Sequence, residues 1–207
     1  MGLLHLLDRS LEKYLRAAVP LDPREVDVAF EAPDTEWSAK ITRPTVNLFL
    51  YDVRRSSTHA RAGFEVTEVD GTLLRRQVAP RVEFRYLVTA WTADHRDEHQ
   101  LLGALLVSLL ASRELPREHL EGSLAAGTDL PILEMASSSG RDQVDLWKAL
   151  DGQLKPGLEL IATVPVDVRA PVELPAPPDE VGVSVGDRER PSRRSERTRP
   201  AAGSDGS

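Results

Sequence analysis

Apolar residues recur at helical spacing near the start of the chain, and they fall on one stripe when residues 3–18 are drawn as an α-helix. The stripe consists of Leu4, Leu7, Leu11, Tyr14, Leu15 and Ala18. Glu12 and Arg16 lie on the other side, four positions apart as in a helical ion pair. Pro20 should end the helix, because a proline ring disfavours helical geometry in the residue before it. We predict a helix whose leucine face packs on the core.

Two later stretches have the alternating pattern of β-strands. Residues 45–53 (TVNLFLYDV) are apolar on both faces, which predicts a central strand covered on both sides. Residues 82–91 (VEFRYLVTAW) alternate more clearly, although Leu87 and Trp91 interrupt the polar face and indicate that it is partly covered. A shorter strand is predicted over 25–30, and Trp37 is predicted to lie in a polar loop.

The stretch between those two strands predicts a protruding β-hairpin. The runs 64–69 and 72–78 flank an Asp-Gly pair, which favours a type I′ turn because both turn positions need positive φ. The segment before them is basic and is predicted to be a loop. Arginines from both parts are candidate partner contacts: Arg54, Arg55, Arg61, Arg75 and Arg76. A solvated edge hairpin is an equally good interpretation of the same pattern.

The second half of the domain predicts two helices and two strands. The helix capped by Thr92 or Asp94 should run to about Ser112, and its leucines cover more than one face. We therefore expect this helix to pack on the sheet and on a second surface, with Gly103 and Ala104 allowing close approach. A short helical turn, an edge strand, a helix and a final strand are predicted over 115–122, 130–135, 140–150 and 158–168. Pro165 should place the far end of the last strand at an edge or a bulge.

These elements together predict an α+β fold over residues 1–170, with a mixed or antiparallel sheet packed by the N-terminal and central helices. Residues 171–207 are rich in Pro, Arg and Ser and have little to bury, so we predict an extension that is largely disordered when free. Val181, Val183 and Val185 alternate within it, a pattern suited to pairing with the sheet edge of a partner.

Composition narrows the classes of function. The net charge of −7 argues against a general nucleic-acid binder, and the absence of cysteine excludes disulfides and thiolate sites. The longest apolar run, 101–111, is about half of the roughly 20 residues that span a bilayer, so membrane insertion is not expected. The sequence begins without the pattern of a signal peptide, and a cytoplasmic protein is predicted.

Candidate chemistry is sparse. His95 and His99 have the i,i+4 spacing of helical metal ligands, but the sequence is HRDEH, and a solvated helix N-terminus explains it better. The sequence contains no phosphate-binding loop, dinucleotide fingerprint or nucleophile elbow. We predict neither an enzyme nor a bound metal or cofactor.

Four stretches taken in order resemble one family. They are the N-terminal helix; VNLFLYDV with the basic loop that contains Arg61; DGTLLRR leading into EFRYLVTAW and EHQLLGALL; and VDLWKAL followed by LKPGLELIATVPVDV. Together they resemble the tail-terminator, or cap, proteins of extracellular contractile injection systems, which are phage-tail-like particles with an inner tube and a contractile sheath.

The resemblance implies a structural protein without chemistry of its own. It implies a hexameric ring on the last ring of tube and sheath, which ends tube polymerisation and anchors the distal sheath. Homo-oligomers, sheath and inner-tube proteins are then the expected partners, in a particle that is assembled in the cytoplasm. The alternative is a monomeric adaptor or cargo-loading module of the same particle, which uses the hairpin and the extension without forming a ring.

Overall fold

A computed structural model of the chain describes residues 2–19, 21–22, 24–59, 63–69, 72–136, 140–168 and 172–173. The chain divides into two units, Met1–Leu174 and Pro175–Ser207, and all described residues belong to the first. This boundary falls just after the one predicted between 170 and 171.

Five α-helices and one 3-10 turn occur in the described residues. The α-helices are α1 (Leu3–Ala18), α2 (Thr35–Ser38), α3 (His95–Ala111), α4 (Ser123–Ala126) and α5 (Gly140–Ala149), and the 3-10 turn is Arg117–His119. The predictions for α1, α3 and α5 are confirmed. Asp94 is the N-cap of α3, because its side chain accepts a hydrogen bond from the Arg96 amide at 2.8 Å.

Eight strands form two sheets within the described ranges. They are β1 (Asp27–Ala29), β2 (Thr45–Arg55), β3 (Phe64–Val69), β4 (Thr72–Gln77), β5 (Arg81–Trp91), β6 (Ile132–Met135), β7 (Gly157–Pro165) and β8 (Val172–Glu173). The larger sheet has the order β1-β2-β5-β7-β6, and the smaller has the order β3-β4-β8. Helices with a mixed sheet confirm the predicted α+β class.

The order of the larger sheet follows the sequence patterns. The doubly apolar strand β2 lies inside the sheet, as predicted, and it runs parallel to β1 and antiparallel to β5. β6 is the edge strand that was expected at 130–135. β7 lies between β5 and β6, and Pro165 is its last residue, opposite Arg81 and beyond the residues that β6 pairs. The missing N–H of Pro165 therefore removes no hydrogen bond to β6.

One face of the larger sheet packs on α1 and α3 and forms the core. Its largest members include Leu7, Leu11, Leu48, Tyr86, Leu105 and Leu160. The predicted stripe on α1 was wrong at its two ends, because Leu4 and Ala18 are exposed and Leu6 and Ser10 are buried instead. Ser10 is tolerated there because its hydroxyl donates to the Leu6 carbonyl at 2.7 Å and accepts from the Glu121 amide at 3.1 Å.

The opposite face, called here the outer face, is partly covered by α2 and α5. Trp37 of α2 lies edge-on to Trp91 of β5 at 5.3 Å between ring centroids, and Trp147 of α5 lies 6.3 Å from Trp91. The loop predicted around Trp37 was wrong: Asp34 caps a short helix there by accepting the Trp37 amide at 2.7 Å. Cover by these tryptophans explains the apolar interruptions on β5.

The predicted helical turn over 115–122 is shorter than expected and ends before its glycine. Only Arg117–His119 are helical, and Gly122 lies immediately before α4, which the sequence pattern did not indicate. Gly122 has φ of 54°, and a Cβ at this position would lie 2.9 Å from Leu6 Cδ2. The glycine is needed for this conformation and for the close approach of α4 to α1.

The predicted hairpin is present, with Val69 opposite Thr72 and Phe64 opposite Gln77. Its Asp-Gly turn lies outside the described residues. The short strand β8 pairs with the other edge of β4, with Leu74 opposite Glu173. Two residues are too few to show an alternating hydrophobic pattern. The sequence therefore predicted no strand here, and residues 172–173 fell within the predicted extension.

Candidate assembly surface

A cluster of charged and polar side chains covers the exposed part of the outer face. Strand alternation brings Tyr51, Glu83, Arg85 and Glu159 to this face, and a bulge between Leu50 and Asp52 places Asp52 there as well, opposite Arg85. The Arg85 guanidinium lies 3.2 Å from the Glu159 carboxylate, 3.4 Å from Glu83 and 3.8 Å from Asp52. One cation therefore faces three carboxylates.

Hydrogen bonding and burial fix this cluster in place. The Tyr51 hydroxyl donates to Glu159 Oε1. Burial, together with the Glu159 carboxylate, raises the pKa of Tyr51, so its hydroxyl stays protonated. Glu83 and Glu159 are buried, and both carboxylates form ion pairs with the Arg85 guanidinium. The cluster ties β2, β5 and β7 together and leaves Arg85 occupied within its own chain.

The two arginines predicted at the end of β2 differ in availability. Arg54 Nε lies 2.6 Å from Asp52 Oδ2, so its charge is matched next to the outer-face cluster. Arg55 is exposed and forms no ion pair with another residue of the described ranges. The structure therefore leaves Arg55 as the free cation of this pair.

The two hairpin arginines lie on opposite faces of β4, because successive side chains alternate in a strand. Arg76 forms an ion pair with Asp167, which ties the hairpin to the chain after β7. Arg75 is exposed, and its guanidinium lies 4.7 Å from the centroid of the Phe64 ring. Phe64 and Val66 are 61% and 56% exposed. We call Phe64, Val66 and Arg75 the hairpin patch.

A second apolar surface lies on α3. Val107 and Leu110 are 69% and 64% exposed, and Leu106 is also exposed, so nothing in the described part of the chain provides the second surface predicted for this helix. Beside them a groove of about 590 Å³ runs between α3 and the end of α1. Small side chains line much of it, namely Ala18, Gly103, Ala104 and Ala111. We call this region the α3 groove.

The remaining predicted contacts lie outside the described residues. They are Arg61 in the basic loop and Val181, Val183 and Val185 in the C-terminal extension. The two histidines at the start of α3 are described, and no group of three or more potential metal ligands occurs among the described residues. Every helix in the described ranges is too short or too polar to cross a lipid bilayer.

Residues 5–180 match the family model described as the Pvc16 N-terminal domain. The chain belongs to this family. The match covers most of α1, all of α2 to α5, both sheets and both surfaces defined above. Together with the two solved structures described next, it confirms the resemblance to tail terminators of contractile injection systems.

Two solved structures share the fold of this Pvc16 N-terminal domain. One is the sheath/tube terminator of the extracellular contractile injection system PVC in its extended state, with 21% identity, a TM-score of 0.63 and 94% coverage of this chain. The other is the tube-terminating cap of the anti-feeding prophage, with 19% identity, a TM-score of 0.63 and 89% coverage. This chain spans 66% and 62% of the length of those two chains. No curated protein matches the sequence.

Sequence reasoning missed the ion pairs that organise this Pvc16 N-terminal domain. Arg81 is buried against Asp129 at 2.5 Å, and Lys155 reaches the buried Glu98 at 2.5 Å. The sequence offers one signal for such ion pairs, namely a charged residue within an apolar stretch of a strand or helix, as with Glu159 between Leu158 and Leu160. Such residues require partners, but the pattern does not say which residue supplies them.

Proposed function

We propose that this protein is the terminator of a contractile injection particle. It forms a ring on the last layer of the inner tube and sheath, ends tube polymerisation and anchors the distal sheath. The family match over residues 5–180 carries this proposal. It is supported by the shared fold of two proteins whose structures are described as a sheath/tube terminator and a tube-terminating cap.

The surface of the domain supports assembly with other proteins. It presents two exposed apolar regions, the hairpin patch and the α3 groove, and the free cation Arg55. Exposed apolar surface of this kind marks interaction sites. Copies of the chain, a hexamer by the family resemblance, together with sheath and inner-tube proteins are the proposed partners. Binding of these partners needs no catalysis, and we propose no reaction.

The C-terminal extension is the proposed sheath anchor. Its alternating valines, Val181, Val183 and Val185, suit addition of a strand to the sheet of a sheath subunit. Main-chain hydrogen bonds would supply most of the affinity in such a contact. Arg54, Arg61 and Arg76 belong to the proposed contact region, but Arg54 and Arg76 act through intrachain pairs that shape the strand end and the hairpin.

Electron microscopy of particles produced with and without this chain tests the proposal. We expect the deletion to give tubes of variable length or particles without assembled sheath, and the wild-type chain supplied in trans to restore uniform particles. Normal, uniformly long particles in the deletion would contradict it. A chain that stays monomeric at high concentration and captures cargo without sheath would favour the adaptor role instead.

A further inference from the structure

We propose that the α3 groove receives the hairpin patch of a second copy of the chain, in a head-to-tail contact. The inference rests on the proposed ring, and it names the two surfaces that join neighbouring copies.

The α3 groove has the composition of a buried surface. Residues 99–112 contain no Asp, Glu, Lys or Arg, although the face that includes Val107 and Leu110 is exposed in the single chain. Gly103 lies at an open position of the groove, since a Cβ there would meet nothing within 4 Å. A surface helix that is apolar beyond its core-facing stripe is typical of one that packs on two sides.

The hairpin patch supplies a matching projection. Phe64 and Val66 lie two residues apart on β3, so their side chains share one face. β3 is an outer strand of the small sheet, and both side chains are mainly exposed. An exposed aromatic ring beside a groove lined by alanine and glycine on a neighbouring copy would bury apolar surface from both sides.

Charge at the two surfaces is complementary. The hairpin patch brings Arg75, whose guanidinium is exposed. The C-terminal turn of α3 has no basic residue, so its free carbonyl groups carry partial negative charge at one end of the groove. The segment that follows is charge-balanced: Arg113 precedes Glu114, and Arg117, which donates to the carbonyls of Ala125 and Gly127, precedes Glu118. This end suits an arginine.

The contact is heterologous, because a projection on one copy meets a groove on the next. The pair then keeps one unused projection on one copy and one unused groove on the other, and repeated contacts close into a ring when the rotation between copies permits. An isologous contact between two α3 faces is the competing arrangement, and it would stop at a dimer.

Cysteine cross-linking tests the contact directly, because the chain contains no cysteine. We would mix full-length Phe64→Cys with full-length Val107→Cys under mild oxidation. A disulfide heterodimer is expected, and Phe64→Cys/Val107→Cys in one chain should give a ladder of oligomers. Leu154→Cys, which replaces another exposed apolar residue, is the control partner and should not cross-link to Phe64→Cys. A mixture that cross-links no better than this control overturns the proposal.

Complementation between charged variants tests the head-to-tail arrangement. Val107→Glu and Phe64→Asp should each weaken self-association by at least about tenfold, which corresponds to about 1.4 kcal/mol, and Leu154→Glu should not. A mixture of the first two variants still contains one intact projection and one intact groove, so sedimentation should show heterodimers. Loss of association in Val107→Glu alone, without rescue on mixing, indicates the isologous contact and overturns the proposal.

Failure of this inference and failure of the terminator role have different signatures. Particles that lose length control without the chain, together with cysteine pairs that do not cross-link, would retain the role and reject these surfaces. Normal particles in the deletion would reject the role itself. A wild-type chain that shows no self-association and no cross-linked ladder rejects the contact whatever the particles look like.

Discussion

At the scale of single residues, the burial of Asp8 in α1 makes the free energy of unfolding depend on pH. The Tyr86 hydroxyl donates to Asp8 Oδ1 at 2.9 Å from inside the core. Burial raises the pKa of Asp8, and the bond from Tyr86 offsets part of that rise. The folded chain therefore holds this proton more tightly than the unfolded chain does. This contribution to stability is complete at low pH and is lost as the pH rises through the folded-state pKa.

Asp8→Asn should separate the charge from the hydrogen bond, because its amide oxygen still accepts from Tyr86. We expect the free energy of unfolding of Asp8→Asn, relative to wild type, to increase between about pH 3 and pH 7. Urea unfolding at several pH values measures this difference. Asp145→Asn, which removes an exposed carboxylate, is the control and should show no such increase. A relative stability of Asp8→Asn that falls with pH would contradict the argument.

Two glycines should respond in opposite ways to a single added methyl group. A Cβ at Gly152 would lie 2.9 Å from both the Pro33 carbonyl oxygen and the Trp147 ring, whereas Gly103 has open space. Gly152→Ala should lower the free energy of unfolding by about 1–3 kcal/mol through overpacking. Gly103→Ala should raise it by about 1 kcal/mol because alanine favours the helix. Chemical denaturation of both variants checks the signs, and the same sign in both would refute the packing argument.

At the scale of elements, the periodicity of the sequence predicted those strands and helices whose pattern depends on local sequence alone. The doubly apolar pattern of 45–53 indicated an interior strand, and the Asp-Gly pair indicated a hairpin, because each depends on local sequence. The two-residue strand β8 and the α2 turn escaped prediction because the first has no period and the second depends on one cap from Asp34. The described residues provide no second surface for α3, and this agrees with the proposal that a second copy of the chain covers its exposed side.

The start of α3 is fixed by an ion pair that could not be predicted from spacing. Lys155 Nζ lies 2.5 Å from Glu98 Oε2 and 4.2 Å from the centroid of the Trp91 ring. Glu98 is only 4% exposed, so removing its partner leaves a buried carboxylate uncompensated.

Lys155→Met should therefore lower the free energy of unfolding by about 3 kcal/mol. Lys40→Met is the matched control: Lys40 pairs with Glu36 at 2.6 Å, but both side chains are exposed, and its loss should cost less than about 1 kcal/mol. Thermal or urea unfolding compares the two variants. Equal losses in both would show that Glu98 is not held by Lys155 in the way that the geometry indicates.

At the scale of the whole molecule, the small sheet links the hairpin to the segment that leads into the extension. β8 covers one edge of β4 opposite Leu74 and Arg75, and the pair of Arg76 with Asp167 fixes the base of the hairpin. The choice of a truncation site therefore decides which property is tested. A chain that ends at Leu174 keeps β8, whereas one that ends at Ala170 exposes the edge of β4.

We expect the two truncations to separate folding of the hairpin from attachment of the sheath. The chain ending at Leu174 should keep slow amide hydrogen exchange at Leu74 and Arg75 and should still self-associate, but electron microscopy should show particles whose sheath is lost or loosely held. The chain ending at Ala170 should show faster exchange in β4, because the strand that pairs with it is missing. Particles with firmly attached sheath in the shorter chain would place the anchor within residues 1–170 and remove the extension from the proposed contact.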